Sequence, residues 1–256
     1  MLEWIIPGAA AALAGYGFLI VPTQWLKLER ISHPIGLNKK ILQISDIHVE
    51  KLRISPRRLE RTIREEAPDW ISLTGDFTRK TWYLPRLEPY LKVISASGVP
   101  VYAVLGNHDY KMKSGMNRLL ELLSRYGITL LRNEALRLPD CTLVGIDNFG
   151  TGHSKIGKAF RQTKPTDTII VLTHDPNVVP HIGKRYDYLM SGHLHGKQLN
   201  IPFFFRFKPK GELPARGIYK GLHRSPQGAY YISKGIGQAG VNARFMVRSE
   251  VTVHEL

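Results

Sequence analysis

The sequence predicts an α/β fold in which two β-sheets pack as a sandwich between flanking helices, in an α-β-β-α arrangement behind an N-terminal transmembrane helix. Three observations lead to this prediction. The first 26 residues are dominated by one long apolar run. Residues 40–126 alternate short apolar runs with amphipathic helical patterns, as βαβ units do. Residues 128–253 contain mostly short apolar runs separated by turn residues, which indicates a second, strand-rich half.

Length and composition suit one large domain with an appendage. The chain has 256 residues, of which 43% are hydrophobic, so it can bury a sizeable core. Its 36 Lys and Arg against 21 Asp and Glu give a net charge of +15, which favours an anionic partner such as a membrane surface, a phosphorylated substrate or nucleic acid. The single Cys141 excludes an intrachain disulfide and a thiolate zinc site, and it is consistent with a reducing compartment.

The N-terminal run predicts a membrane anchor over residues 1–26. No charged residue occurs from Trp4 to Leu26, a stretch of 23 residues, and about 20 are enough to cross a bilayer. Only Glu3 and the α-amine precede the run. The basic residues that follow it are Lys27, Arg30, Lys39 and Lys40. The positive-inside rule therefore predicts a single-pass protein of the cell membrane with its catalytic domain, residues 40–256, in the cytoplasm.

Two other interpretations of this run are weaker. A cleaved signal peptide would carry basic residues before the apolar run, where this chain has Glu3. A buried soluble helix would tolerate poorly the breakers within the run, namely Pro7, Gly8, Gly15 and Gly17.

The elements in the first half of the domain are predicted from apolar runs and from the turn and helix-capping residues between them. Residues 27–39, with Pro34 and Gly36, resemble a linker, and Lys40–Ile44 resembles a first strand. Ser55-Pro56 predicts the capped start of a helix that ends near Glu66. The remaining elements expected here are strands at 70–73 and 101–105 and helices at 84–97 and 116–126.

The second half is predicted to form the second sheet. Runs at 128–131, 135–138 and 142–146 have no helix between them and suggest a β-meander. Runs at 168–172 and 186–190 each lead to histidines, and we expect runs at 230–233 and 251–253 to complete this sheet.

Five polar motifs follow apolar runs along the chain. They are Ser45-Asp46-Ile47-His48, Gly75-Asp76, Gly106-Asn107-His108-Asp109, Thr173-His174-Asp175 and Gly192-His193-Leu194-His195. Open α/β sheets place their sites at the carboxyl ends of strands, so these motifs predict one shared site.

The motifs offer nitrogen and oxygen ligands and no sulfur, a set that suits divalent Mn, Fe, Zn or Ni. In an extended segment, an Asp-x-His or His-x-His pair points both side chains to the same side. The candidates are too many for one tetrahedral metal and suit two octahedral-like metals that share a carboxylate: Asp46, His48, Asp76, Asn107, His108, His174, His193 and His195.

These motifs resemble those of the calcineurin-like metallophosphoesterases. The family pattern D-x-H, G-D, G-N-H-D/E, H and G-H-x-H is present in full and in order, and the resemblance extends from about Ile41 to the C-terminus. It implies one metal held by Asp46, His48, Asp76 and His195, and a second held by Asp76, Asn107, His174 and His193. Asp76 would bridge the two metals, which are expected to be Mn, Fe or Zn.

The resemblance also implies a mechanism. A hydroxide that bridges the two cations would attack phosphorus in line. His108 would be the imidazolium acid beside the phosphate, and Asp109 would orient it.

Within this superfamily the sequence resembles small bacterial membrane-associated members, including YkuE- and YaeI-like phosphodiesterases and enzymes that hydrolyse UDP-2,3-diacylglucosamine. The segment Tyr230–Gly237 matches that group, whereas Lys197 departs from the His-Gly-Gly-Gln continuation of many relatives.

Two further features carry weaker predictions. The histidines outside the motifs are expected to be structural or surface residues: His33, His153, His181, His223 and His254. Residues 201–210 mix aromatic residues with cations directly after the last motif. This composition suits an interfacial loop or a lipid-substrate passage as well as it suits an ordinary hairpin core.

The sequence thus predicts a membrane-anchored dinuclear phosphoesterase that acts on phosphodiester or pyrophosphate bonds, including those of a lipid-linked substrate such as UDP-2,3-diacylglucosamine. The alternative enzyme is a phosphomonoesterase or nucleotide phosphodiesterase with a soluble substrate. A non-catalytic scaffold is disfavoured because no ligand of the pattern is missing, and no motif for specific nucleic-acid binding accompanies the charge.

Overall fold

Two six-stranded sheets form the centre of the molecule. The structure is a computed structural model that describes residues 2–201 and 211–256, with side chains from residue 4. In spatial order, the first sheet consists of β1 (Lys27–Ser32), β12 (Glu250–Glu255), β2 (Lys40–Ile44), β3 (Trp70–Thr74), β4 (Val101–Val104) and β5 (Thr129–Leu130). The second consists of β10 (Gly221–Ser225), β11 (Gly228–Ile232), β9 (Tyr188–Ser191), β8 (Ile169–Leu172), β7 (Thr142–Gly145) and β6 (Glu134–Arg137). The predicted two-sheet sandwich is confirmed.

Apolar side chains from both sheets fill the space between them. Ile41 and Val104 of the first sheet are in one buried cluster with Leu143, Tyr188 and Tyr231 of the second. Strands buried on both faces appear as continuous apolar runs, as β4 and β8 do. β2 and β3 are also buried on both faces, but they include the buried polar residues Gln43, Ser72 and Thr74.

Helices cover the outer face of the first sheet. They are α3 (Pro56–Glu66), α4 (Leu84–Ser95) and α5 (Met116–Arg125), and their buried residues belong to one core cluster with β2, β3 and β4. The hydroxyl of Ser55 accepts a hydrogen bond from the backbone N–H of Arg58 at 3.2 Å, so the predicted cap of α3 is confirmed. Among the described residues, the outer face of the second sheet is covered by the short α6 (Ile156–Ala159) and α7 (Glu212–Ala215), the 3₁₀ segment Pro176–His181 and loops.

Three strands differ from the prediction. Lys27–Ser32, expected within a linker, is β1 and pairs in parallel with β12. Thr129–Leu130 is not the start of a meander, since it pairs in parallel with β4 at the edge of the first sheet. The 251–253 run was expected in the second sheet and instead forms β12, between β1 and β2 of the first. Sheet membership depends on which distant strand offers a free edge, and local apolar patterning does not encode that choice.

The N-terminal apolar run is helical and lies outside the core. It comprises α1 (Leu2–Gly15), a π-helical stretch Tyr16–Ile20 and α2 (Val21–Gln24). Among the described residues, Trp4–Gln24 is the one helix long and apolar enough to cross a membrane, with 21 residues and a mean hydropathy of 1.8; its most apolar window is unburied, whereas Thr23 near its end is buried. Most of this helix is therefore exposed, and its last turns contact the domain.

Strand direction brings the polar motifs together. β2, β3 and β4 are parallel to one another, and so are β7, β8 and β9. The carboxyl ends of these strands therefore lie at one edge of the sandwich, where the segments that follow them converge.

Candidate metal centre

The segment after β2 delivers the first two candidate ligands. Asp46 and His48 both adopt left-handed backbone conformations, with φ of 55° and 39°. Their amides donate to the carbonyls of Gly75 at 3.0 Å and Asp76 at 2.9 Å, which joins this turn to the turn after β3. Non-glycine residues rarely occupy this region, and strained residues of this kind concentrate at functional sites.

Asp76 is the centre of the cluster. Its Oδ2 lies 3.3 Å from Nε2 of His48 and 3.3 Å from Nε2 of His174. Its Oδ1 accepts a hydrogen bond from the backbone N–H of His108 at 2.7 Å, which fixes the carboxylate plane. One oxygen thus faces histidines from both sheets, the arrangement expected of a bridging ligand.

The other candidates divide into two groups around Asp76. In the first, Nε2 of His195 lies 3.3 Å from Oδ1 of Asp46 and 3.2 Å from Nε2 of His48. In the second, Nε2 of His174 lies 3.2 Å from Oδ1 of Asn107. The structure therefore brings Asp46, His48 and His195 together on one side of Asp76.

The second group is completed by His193. Its Nδ1 lies 3.2 Å from Nε2 of His174, and Asp76, His174 and His193 each direct a ligand atom into one space. All seven residues predicted to bind metal are thereby gathered at one place, in the two groups that the resemblance implies.

The donor set fits divalent cations. Imidazole nitrogens and carboxylate oxygens converge within 4.8 Å of one another in a buried site. Burial lowers the pKa of His174, but Asp76 outweighs burial and raises it to about 10. Burial raises the pKa of Asp76, but the neighbouring His174 and His48 hold it well below its usual value. The pocket therefore stabilises positive charge, which is what bound metal ions would supply.

His174 is held in the orientation that a ligand needs. Its Nδ1 donates to the carbonyl oxygen of Thr74 at 2.8 Å, so Nε2 is the nitrogen directed into the cluster. A backbone carbonyl on the far nitrogen is the usual means of fixing the tautomer of a metal-binding histidine.

Asp109 has different partners from those expected. Its carboxylate accepts hydrogen bonds from four backbone N–H groups: those of Asp76 at 3.0 Å, Phe77 at 2.8 Å, Thr78 at 3.2 Å and Gly106 at 2.8 Å. None of its hydrogen bonds goes to the His108 ring, so the expectation that Asp109 orients His108 is corrected. Asp109 instead ties together the two turns that carry Asp76 and Asn107. Burial and the adjacent Asp76 raise its pKa to about 7.

His108 is at the mouth of the site. Nδ1 is buried without a hydrogen-bond partner among the described residues, and Nε2 lies 3.2 Å from Nζ of Lys111. Burial lowers the pKa of His108 to about 3, despite the nearby Asp76, which favours a neutral ring in the free protein. His108 also lies close enough to His48 and Asp76 to share a cation with them, a position that the donor pattern includes and that the family resemblance assigns to the acid instead.

Two glycines permit the close approach of the strands. A Cβ on Gly106 would overlap the carboxylate and amide of Asp76, and a Cβ on Gly192 would overlap Ser45 and Asp46. Both are more than ordinary turn residues, because each leaves room for a ligand from another strand.

Two cavities open from the cluster. The larger, 890 Å³, reaches His108 and His193 and is walled by two ring pairs, Tyr110 with His153 and Phe149 with His181. The smaller, 510 Å³, begins at His108 and His195 and is lined by apolar and basic side chains, including Leu194, Leu199, Lys111 and Lys197.

Several residues of these walls were missed or misassigned from the sequence. His153 and His181 were expected to be structural or surface residues, yet both line the larger cavity. Lys111 carried no signal beyond its spacing of three from His108, which a helical turn converts into proximity. The predicted aromatic and basic segment is residues 201–210. Of these, residues 202–210 lie outside the part of the chain that the structure describes.

Comparison with known proteins identifies the family. Residues 39–197 match the family model for the calcineurin-like phosphoesterases, and this match covers more than half of the chain. The chain therefore belongs to the calcineurin-like phosphoesterase family, and it is a metallophosphoesterase.

Relatives of similar length support this assignment. The chain is 37% identical over 231 residues to the uncharacterized metallophosphoesterase YkoQ of Bacillus subtilis, covering 87% of this chain and 85% of the relative. It is 28% identical over 264 residues to the phosphodiesterase YaeI of Escherichia coli, covering 96% and 94%. It is 26% identical over 273 residues to the UDP-2,3-diacylglucosamine pyrophosphatase LpxG of Chlamydia muridarum, covering 83% and 82%.

Proposed function

We propose that this metallophosphoesterase is anchored in the cell membrane, binds two divalent metal ions, and hydrolyses phosphodiester or pyrophosphate bonds. The observation that carries the dinuclear site is the position of Asp76 Oδ2, 3.3 Å from one histidine of each ligand group. Asp46, His48 and His195 would hold one ion, Asn107, His174 and His193 the other, and Asp76 both.

The protein side chains have separable roles in this proposal. Bound divalent ions would supply Lewis acidity and an activated water nucleophile. Asp76 keeps the two ligand groups at a fixed separation, and Asp109 fixes the turns on which Asp76 and Asn107 lie. The ligand carboxylates and three of the four ligand histidines (His48, His174 and His195) are buried, so bulk water does not compete with substrate oxygens on that side.

His108 and Lys111 face the substrate side of the cluster. Both line each of the two cavities, and the Lys111 ammonium can donate to His108 Nε2. A phosphate anion bound here would favour protonation of His108, because negative charge raises the pKa of an adjacent imidazole. His108 would then pass its proton to the leaving oxygen, and Lys111 would stabilise the charge.

The membrane location is supported by the exposed apolar helix Trp4–Gln24 and by the basic flank after it, which orients the domain toward the cytoplasm. The net charge of +15 suits an anionic lipid surface. The relatives YaeI and LpxG are named for phosphodiester and pyrophosphate hydrolysis, and we infer a substrate of one of these bond types, including a lipid-linked one such as UDP-2,3-diacylglucosamine.

A second candidate is a nucleotide phosphodiesterase or a phosphomonoesterase with a soluble substrate. The larger cavity favours this alternative, because its stacked pairs Tyr110–His153 and Phe149–His181 offer flat surfaces to a ring-containing group such as a nucleobase.

Parallel assays separate these candidates. The full chain in detergent, loaded with Mn²⁺ and analysed for metal content, should contain two ions and hydrolyse bis-p-nitrophenyl phosphate faster than p-nitrophenyl phosphate. Preference for the monoester would overturn the diesterase proposal, and one bound ion would overturn the dinuclear centre. The same preparation should then be given UDP-2,3-diacylglucosamine and soluble nucleotide diesters, of which only the former should be turned over efficiently.

A further inference from the structure

The apolar helix leaves the domain at the edge that carries the metal centre. Strand β12 is antiparallel to β2, with Thr252 opposite Gln43, so β12 begins where β2 ends. Strand β1 is parallel to β12, with Lys27 opposite Glu250. The amino end of β1, which the helix joins, is therefore at the same edge as Asp46. A membrane that holds the helix would lie on this side of the domain.

The loop 239–247 contacts the apolar helix Trp4–Gln24 at residues that precede its C-terminal end. The backbone N–H of Arg244 donates to the carbonyl of Leu19 at 2.9 Å, and Phe245 packs edge-to-face on Phe18. Leu19 precedes Gln24 by five residues, which at 1.5 Å each is about 7.5 Å along a helix. If Trp4–Gln24 crosses the bilayer, this loop reaches the depth of the interfacial layer.

The helix is rigidly joined to the domain at this point. The amide of Ser249 donates to the carbonyl of Pro22 at 3.0 Å, and its hydroxyl donates to the carbonyl of Thr23 at 3.2 Å. The guanidinium of Arg53 binds both Thr23 and Asn242. These hydrogen bonds therefore hold the loop 239–247 at one position along the axis of the helix.

The exposed side chains of the loop suit an interface. Val241 is 60% exposed and Met246 is 71% exposed, although both are apolar. Beside them, Trp25 is 60% exposed, with the guanidinium of Arg248 at 3.8 Å from its ring centre. Tryptophan, aliphatic side chains and cations together are the composition of protein surfaces at the level of lipid headgroups.

The smaller cavity connects this loop with the metal centre. Ala239, Gly240 and Val241 form one wall, and His108 and His195 form its inner end. Leu194 and Leu199 make part of its surface apolar, while Arg79, Lys111 and Lys197 supply positive charge. An anionic group with an apolar tail is the ligand that such a lining would accept.

We propose that the loop 239–247 lies in the headgroup layer of the bilayer and that the 510 Å³ cavity receives an amphipathic phosphoester directly from that layer. The phosphate reaches the metal centre past Lys111 and Lys197, while the acyl part stays against Val241 and the lipid. This inference rests on the proposed function, because it requires both the anchor and the phosphoesterase site.

Site-directed labelling tests the position of the loop. Cys141→Ala removes the single cysteine, and Val241→Cys and Met246→Cys then carry an environment-sensitive NBD label in the full chain, reconstituted in phosphatidylglycerol and phosphatidylethanolamine vesicles. Asp140→Cys is the matched control, since Asp140 is exposed and precedes β7, at the edge opposite the site. Labels at 241 and 246 should show blue-shifted emission and quenching by spin-labelled lipid, and the label at 140 should show neither. Equal behaviour at all three positions would overturn the inference.

Substrate delivery is tested with 4-nitrophenyl hexadecyl phosphate as the probe. Hydrolysis should be at least about tenfold faster when the probe shares a vesicle with the enzyme than when it is in separate vesicles, because a shared surface raises its effective concentration. Equal rates in the two arrangements, with bis-p-nitrophenyl phosphate hydrolysed normally, would overturn this inference and leave the proposed function intact. No hydrolysis of either compound by the metal-loaded enzyme would overturn the proposed function itself.

Discussion

The two sheets hold their proposed metal ligands in different ways. On the first sheet, buried charged groups fix the backbone beneath the ligands: Asp109 binds the turns after β3 and β4, and Arg244 binds carbonyls of residues 234–237, which pack on Asp46. On the second sheet, His174 is oriented by Thr74, and the amide of His193 donates to the Asp46 carboxylate at 3.1 Å. Both of these partners belong to the first sheet.

The first sheet therefore acts as the template on which the second sheet's histidines are placed. Damage to the first-sheet supports should disturb both ligand groups, whereas damage elsewhere should leave them intact. The following substitutions test this difference between the two sheets, and the one with the greatest expected loss comes first.

Asp76→Asn should have the largest effect, because it weakens the ligand shared by both groups. We expect at least about a 10⁴-fold loss of bis-p-nitrophenyl phosphate hydrolysis, or about 5.5 kcal/mol in the barrier, with loss of both metal ions. Asp140→Asn, on the exposed Asp140, is the control and should leave both quantities unchanged. Two retained ions and normal turnover in Asp76→Asn would end the bridging role.

His108→Ala tests whether this residue is an acid or a ligand. As an acid, it should lower turnover by about 10² to 10⁴-fold and leave two metal ions in place, as measured by elemental analysis. The matched variant is His153→Ala, which removes another histidine of the cavity wall that contacts no ligand group. Loss of a metal ion from His108→Ala alone would instead make His108 a ligand, as its closeness to His48 and Asp76 allows.

Arg244→Met tests how much the Arg244 guanidinium, which binds the backbone that packs on Asp46, contributes to stability. The fully buried guanidinium donates to the carbonyls of Lys234, Gly235 and Gly237, and its removal leaves them without those donors. We expect a loss of about 3 kcal/mol in the free energy of unfolding, measured by denaturant titration in detergent. Arg248→Met is the control, because this cation covers an exposed Trp25 and should contribute less than about 1 kcal/mol. Equal losses in the two variants would show that burial of Arg244 has no special role.

Asp109→Asn should weaken metal binding without removing a ligand. The amide keeps one acceptor oxygen but presents an N–H group to backbone amides that need an acceptor. We expect about 10 to 100-fold weaker affinity for both ions, measured by calorimetry with Mn²⁺. Weakening confined to one ion would contradict the view that the first sheet positions both groups.

His254→Gln should give the smallest effect, and it concerns the packing between the sheets. His254 is buried between the Tyr188 hydroxyl at 2.9 Å and Gln43 Oε1 at 3.0 Å, and burial lowers its pKa to about 3. The unfolded chain binds a proton below about pH 6.5 that the folded chain refuses until about pH 3, so this residue destabilises the protein progressively as pH falls through that range.

At pH 5.5 the destabilisation should be about 1.4 kcal/mol relative to neutral pH. The glutamine variant should lack this component, so the difference between wild type and variant in unfolding free energy should change by about that amount between pH 7.5 and 5.5. A difference that is constant with pH would show that His254 has the same pKa in the folded and unfolded chains, so that burial does not lower it.

The proposed ligands carry a signal in the sequence, whereas the residues that support them do not. Asp46, His48 and the other ligands follow apolar strands in an ordered pattern, which marks them without knowledge of the fold. The roles of Asp109 and Arg244 depend on four backbone N–H groups and four backbone carbonyls respectively, and a backbone group carries no sequence signal. The predicted assignment of residues 251–253 to the second sheet was wrong for a related reason, since β1, the neighbour of β12 in the first sheet, was expected to be a linker.

The helices were predicted more accurately than the strand order. Ser55 and Pro56 define the start of α3 through contacts within four residues, and such local signals are visible in the sequence. The pairing of β1 with β12 joins positions more than 200 residues apart, and only the completed sheet determines it.

Five of the ligand residues share a further property, which is a left-handed backbone: Asp46, His48, Asp76, His193 and His195. Each such conformation disfavours the folded chain by about 1 kcal/mol or more. Cation binding at these residues would counteract that cost only in the folded chain, so folding and metal uptake become one coupled equilibrium. The midpoint of thermal unfolding should consequently rise with the free metal concentration, and a chelator would act on this protein as a mild denaturant.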